Sequence, residues 1–88
     1  MTVTFLGAIR EITGIPVQSS SASTIRDLLI SLLETYGARW KTQVFDGEGL
    51  AAGVVIMVNG MNIQQIQGLS TPLCAEDRID ILPMFEGG

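Results

Sequence analysis

Residue types able to do chemistry are few in this chain, and they direct attention to one end of it. There is no histidine and a single cysteine, Cys74. A nucleophile–base pair of the Ser–His or Cys–His kind therefore cannot be assembled, and the usual zinc ligands are missing. Cys74 has no evident activating neighbour in sequence, so its expected place is that of a small buried residue rather than a sulfur-relay thiol. What remains is Gly87-Gly88. Lacking side chains, the pair acts only through its backbone and the terminal carboxyl group, and a carboxylate is so poor an electrophile that a partner must activate it. Glycine supplies access, because without a Cβ it threads a narrow channel and takes backbone angles closed to other residues. Frayed chain ends also carry glycines, so the elements upstream decide whether this pair is a site.

Those elements must form one domain. The chain has 88 residues, 47% of them hydrophobic and 16% charged, a balance that fits a single folded core and not a disordered segment. The expected division is a domain over 1–83 and a short tail over 84–88. Net charge is -4, and the five basic residues, Arg10, Arg26, Arg39, Lys41 and Arg78, are scattered along the sequence. A phosphate-binding surface needs a concentrated basic face, which argues against nucleic acid as a partner. An acidic surface instead speeds encounter with a basic protein. No apolar run reaches membrane-spanning length and no basic lead precedes an apolar stretch, so the expected setting is cytoplasmic, away from membranes.

Taken in order, Thr2 to Leu6 alternates as a half-buried strand, with Val3 and Phe5 inward. A short excursion over 7–12 closes at Thr13-Gly14, and Ile15 to Ser19 is expected to return as a second strand with Ile15 and Val17 inward and Pro16 at a sheet edge. Thr24 with Asp27 three residues on resembles a capping box. Ile25, Leu28, Leu29, Leu32, Leu33 and Tyr36 then form an apolar helical stripe, ended by Gly37 as a left-handed cap. The region 38–53 is less regular: Arg39-Trp40-Lys41 suggests a further helical turn, Val44 and Phe45 dock on the core, and Asp46-Gly47-Glu48-Gly49 turns the chain. Val54 to Val58 is a buried strand ending in Asn59-Gly60, a two-residue hairpin signal. Met61 to Ile63 returns briefly, Gly68 to Leu73 crosses with a helical turn, and Arg78 to Pro83 is a last strand. This order predicts an α+β domain, a mixed sheet of four to five strands with one main helix packed on one face.

The opening Val3-Thr-Phe-Leu-Gly-Ala-Ile-Arg-Glu-Ile-Thr-Gly14, the helix from Ser23-Thr24 with its leucine pairs, Val58-Asn-Gly60, Leu69-Ser-Thr-Pro-Leu73, and Asp77 to Pro83 leading to Gly-Gly together resemble the MoaD/ThiS-type ubiquitin-like sulfur carriers. The small subunit of molybdopterin synthase is the nearest type. The resemblance runs through nearly the whole chain and implies the β-grasp fold. It also implies a chemistry. An E1-like adenylating enzyme (MoeB/ThiF-like) would use ATP to turn the Gly88 carboxylate into an acyl-adenylate, and a sulfur donor such as a cysteine desulfurase would leave a thiocarboxylate there. The large subunit of molybdopterin synthase (MoaE-like) would then receive the sulfur. On this reading Gly88 carries the reacting group, Gly87 gives passage, and the chain itself binds no cofactor and has no activity alone. Glu86 departs from the small residues that often precede the glycines in the molybdopterin type. Carriers for thiamine or cysteine synthesis, a ubiquitin-like modifier conjugated through Gly88, and an interaction module with an inert tail all remain open.

A partner surface follows from strand alternation. If Val3, Phe5, Ile56, Val58, Ile79 and Ile81 face the helix, then Leu6, Val55, Met57 and Leu82 lie on the opposite sheet face, beside Met84, Phe85 and Glu86. An outward apolar patch on so small a domain marks a docking site, and methionine suits a surface that meets more than one partner.

Overall fold

The computed structural model describes residues 1–84. Strand β1 (Thr2–Phe5) leads into α1 (Gly7–Thr13), and β2 (Val17–Ser19) returns antiparallel beside β1. Two consecutive helices follow, α2 (Ile25–Tyr36) and α3 (Ala38–Val44), then a two-stranded ribbon, β3 (Phe45–Asp46) with β4 (Gly49–Leu50). The hairpin of β5 (Val54–Val58) and β6 (Met61–Asn62) precedes short 3-10 turns at Ile63–Gln65 and Gly68–Ser70, and β7 (Arg78–Pro83) comes last. The main sheet has five strands in the order β2-β1-β7-β5-β6. Its last strand is therefore central, parallel to β1 on one side and antiparallel to β5 on the other. Three helices, a mixed sheet and a helical layer over one sheet face make this an α+β fold of the β-grasp kind.

Local chemistry explains the boundaries. The Thr24 hydroxyl accepts the Asp27 N–H at 3.1 Å and satisfies a backbone donor that the first turn of α2 leaves open. Gly37 ends α2 with its N–H on the Leu33 carbonyl, at φ 72° and ψ -143°. Its φ is positive as expected, but that ψ lies outside the left-handed helical region, so Gly37 swings the chain directly into α3 instead of closing a simple cap. Asn59 and Gly60 both have positive φ, 53° and 85°, as a two-residue hairpin turn between β5 and β6 requires.

The core lies between the sheet and its helices. Val3 and Phe5 from β1, Ile56 from β5 and Ile79 and Ile81 from β7 meet Ile25, Leu28, Leu29 and Leu32 of α2, all buried. Leu33 and Tyr36 flank this stripe, half-buried. Trp40 is fully buried, its indole N–H donating to the Leu29 carbonyl at 3.1 Å and its ring edge-on to Phe5 at a centroid distance of 6.1 Å. In place of the helical turn expected at Arg39-Trp40-Lys41, residues 38–44 thus form a complete second helix whose Trp40 and Val44 fill the core. Leu69 and Leu73 pack half-buried against the core, and their segment is bonded to the start of α2 through Ile25 N–H to Thr71 O and Leu73 N–H to Ser23 O.

Two expected burials are not met. Ile15 and Val17 do not point inward: they are 40% and 48% exposed. Val17 pairs with Thr4, whereas Gln18 pairs with the buried Val3. Register, not hydrophobicity, sets the inward residue of this edge strand, and Gln18 is tolerated there because its side-chain carbonyl accepts the Tyr36 hydroxyl at 2.8 Å. Cys74, expected to be buried, is exposed. Its backbone N–H is held by Asp77 in the loop before β7, so the segment serves as a turn and the side chain is not drawn into the core.

Candidate functional site

The site begins at the end of β7. Because β7 lies between β1 and β5, the chain leaves the middle of the sheet, not its rim. Val54 pairs with Pro83, whose ring removes the N–H there, yet Met84, assigned to the tail from sequence, still donates its N–H to the Gly53 carbonyl at 2.7 Å. On the other flank the Leu6 N–H donates to the Ile81 carbonyl at 3.1 Å, extending the β1–β7 ladder one residue past β1. Both neighbours of β7 therefore grip it near its exit. The candidate residues Phe85, Glu86, Gly87 and Gly88 lie outside the described residues.

Around that exit, the face opposite the core holds the predicted apolar residues. Val55 is directly paired with Leu82, and Met57 with Asp80. Leu6, in extended conformation, stands one step beyond the Phe5–Ile81 pair and so beside Leu82. Val55, Met57 and Leu82 are half-buried, while Leu6 and Met84 are more open, at 42% and 53%. Strand alternation thus brings Leu6, Val55, Met57 and Leu82 onto one surface, as expected. Val17 was missed. It pairs with Thr4, which pairs with Asp80, so it extends the same face across β2. Only pairing register reveals that; a hydrophobic count assigns Val17 to the core. Asp80 places a carboxylate between Thr4 and Met57, so the surface is apolar around one acidic position.

At the opposite end of β7, Asp77 accepts the Cys74 N–H at 2.7 Å and the Asn59 side-chain N–H at 2.9 Å. The Asn59 side-chain oxygen in turn accepts the Arg78 N–H at 2.9 Å. This clasp joins the β5–β6 turn to the start of β7. The hydrogen bond from the Cys74 backbone, then that from Asn59, holds the Asp77 carboxyl below the usual carboxylate range. Among the described residues no group of three or more His, Cys, Asp or Glu side chains could hold a metal ion, and no helix is long and apolar enough to cross a membrane.

The family model of the ThiS family matches residues 3–88. The chain belongs to the ThiS family. Members of this family are small sulfur-carrier proteins that are not catalytic themselves. No curated protein sequence matches the ThiS-family chain significantly. Among solved structures it is similar to the small archaeal modifier protein 1 of Methanosarcina acetivorans, with 32% identity, 99% of this chain and 94% of that chain covered, and a TM-score of 0.84. A chain of the Amycolatopsis orientalis BexX/CysO complex superposes with a TM-score of 0.85 at 22% identity, covering 99% and 98%. A Pyrococcus furiosus protein assigned as molybdopterin converting factor subunit 1 does so with a TM-score of 0.73 at 24% identity, covering 96% and 95%. These last two establish a shared fold. The ThiS-family match extends across the opening strand, the helices, the 68–73 crossing segment and the final Gly-Gly.

Proposed function

We propose that this chain carries sulfur as a thiocarboxylate on Gly88 and delivers it, as the small subunit of a molybdopterin synthase, to a pterin precursor held by the large subunit. The observation that carries the reading is the family match reaching through Gly87-Gly88. The central position of β7 supports it: the strand that leads to the final residues is paired on both sides and so is firmly held. Extended, the four residues after Met84 span roughly 13 Å, enough to enter a partner's buried site.

The partners supply the reactive steps. An adenylating enzyme transfers AMP from ATP to the Gly88 carboxylate with loss of pyrophosphate, and the acyl-adenylate then has a good leaving group. Attack by the terminal sulfur of a persulfide expels AMP and gives an acyl disulfide. A thiol that reduces the S–S bond releases the thiocarboxylate, a soft nucleophile. The sheet face of Leu6, Val55, Met57 and Leu82, with Met84, Phe85 and Glu86 on the tail, forms the docking surface that presents Gly88 to each partner. Molybdopterin as destination draws on the sequence resemblance and on the fold shared with the Pyrococcus protein.

A second reading, a protein modifier joined to lysines through Gly88, is favoured by the 32% identity to a small archaeal modifier protein. Intact-mass measurement on protein from its native cell separates the two. Replacement of one terminal oxygen by sulfur is expected for the carrier, whereas Gly88 found only in branched lysine peptides defeats it. Co-purification of a molybdopterin synthase large subunit is expected, and binding only a thiazole- or cysteine-forming enzyme would redirect the sulfur to that pathway.

A further inference from the structure

A second surface lies on the helical side of the domain, away from the sheet face just described. Arg26, Ile30 and Leu33 follow at i, i+4 and i+7 along one flank of α2. Together with Lys41 of α3, Phe45 of β3 and Glu48 of the β3–β4 turn they line a groove of about 510 Å³. Its floor is apolar: Ile30 is 42% exposed, and Leu33 and Phe45 rest half-buried on the core beneath it. The rim is basic in a chain of net charge -4, since Arg26 and Lys41 are two of only five Lys and Arg residues and Glu48 is the one acidic residue of the lining among the described residues. Arg26 donates to the Glu48 backbone carbonyl at 3.3 Å, which ties the ribbon turn to α2 and holds the guanidinium at the groove's edge.

We propose that this groove binds a segment of a partner protein in which a bulky apolar side chain stands beside one or more carboxylates. The apolar floor takes the side chain, and Arg26 and Lys41 meet the acids, with the charge preference reversed from that of the acidic remainder of the molecule. The volume is that of a small binding cleft. Since the groove and the Leu82 face lie on opposite sides of the sheet, a partner seated in the groove leaves the other face and the end of β7 accessible. The groove thus offers a way to hold one protein while the tail engages another, and it does not depend on the fate of Gly88.

The test is selection from a random-sequence peptide library on the intact protein, followed by NMR titration of the recovered peptides. Enrichment of Leu, Ile, Phe or Met next to Asp or Glu, with shifts at Ile30, Leu33, Lys41 and Phe45, is the expected result. Ile30→Ser and Lys41→Glu, both at exposed positions, should each weaken binding by about tenfold or more, and Leu82→Asp should leave it unchanged. Recovery of peptides without acids, shifts confined to the sheet face, or groove shifts that track the protein's own concentration would each overturn the proposal, the last by pointing to a second copy of the chain.

Discussion

Val55 and Leu82 face each other across the antiparallel β5–β7 pair, both half-buried on the sheet surface opposite the core. A charge at this pair meets little of the domain's interior, so its effect falls on whatever docks there. Under the proposed function, Leu82→Asp is expected to retain the circular dichroism spectrum and lower affinity for a molybdopterin synthase large subunit by about tenfold or more, the behaviour of a buried interface anchor. Calorimetric titration against that subunit checks it; unchanged affinity would remove this face from the docking surface.

Trp40 joins α3 to α2 and to β1 through its bond to the Leu29 carbonyl and its contact with Phe5. Trp40→Ala leaves a large cavity and removes the indole bond to the Leu29 carbonyl, and should cost about 3–5 kcal/mol. Urea unfolding measures the loss. A change within experimental error would mean that α3 contributes little to the core.

Gly37 has φ 72° and ψ -143°, and an added Cβ there would meet nothing within 4 Å. The cost of Gly37→Ala is thus a backbone cost alone, about 1–3 kcal/mol. Substitution at the neighbouring exposed Thr35 should be nearly neutral, and comparable melting temperatures for the two variants would contradict the account.

Asp77 supplies a pH dependence with a definite sign. Its folded pKa is depressed, so the unfolded chain takes up a proton at higher pH than the folded one. The stabilisation is complete above the ordinary carboxylate range and is lost as pH falls from about 4 through the depressed value. Wild type should therefore exceed Asp77→Asn in urea midpoint at neutral pH, and the gap should narrow on acidification. A gap independent of pH would assign the effect to geometry instead of ionisation.

Much of this fold is legible in the residues because periodicity is a local property. The α2 stripe from Ile25 to Tyr36, the Thr24 cap, the Asn59-Gly60 turn and the alternation of Arg78 to Pro83 each follow from spacing within one element. The same alternation placed Leu6, Val55, Met57 and Leu82 on one face. It failed at Val17, where an edge strand's register against β1 outweighs side-chain polarity, at Ile15, which precedes that strand, and at Cys74, whose loop is held by Asp77. In the 38–53 region the sequence showed a turn where a full helix forms, because Trp40 is recruited by Phe5 and Leu29 from other elements.

From the sequence by itself come the α+β class, the composition of the core, the family resemblance and the presence of a Gly-Gly pair beyond a final strand. Tertiary structure alone decided that this strand is central, gripped by Leu6 on one side and Gly53 on the other, and that Arg26, Lys41 and Phe45 border one groove. The physical reason is the range of the information. Periodicity records which side of its own element a residue faces, whereas strand order and the meeting of distant elements depend on contacts that only the folded chain brings together.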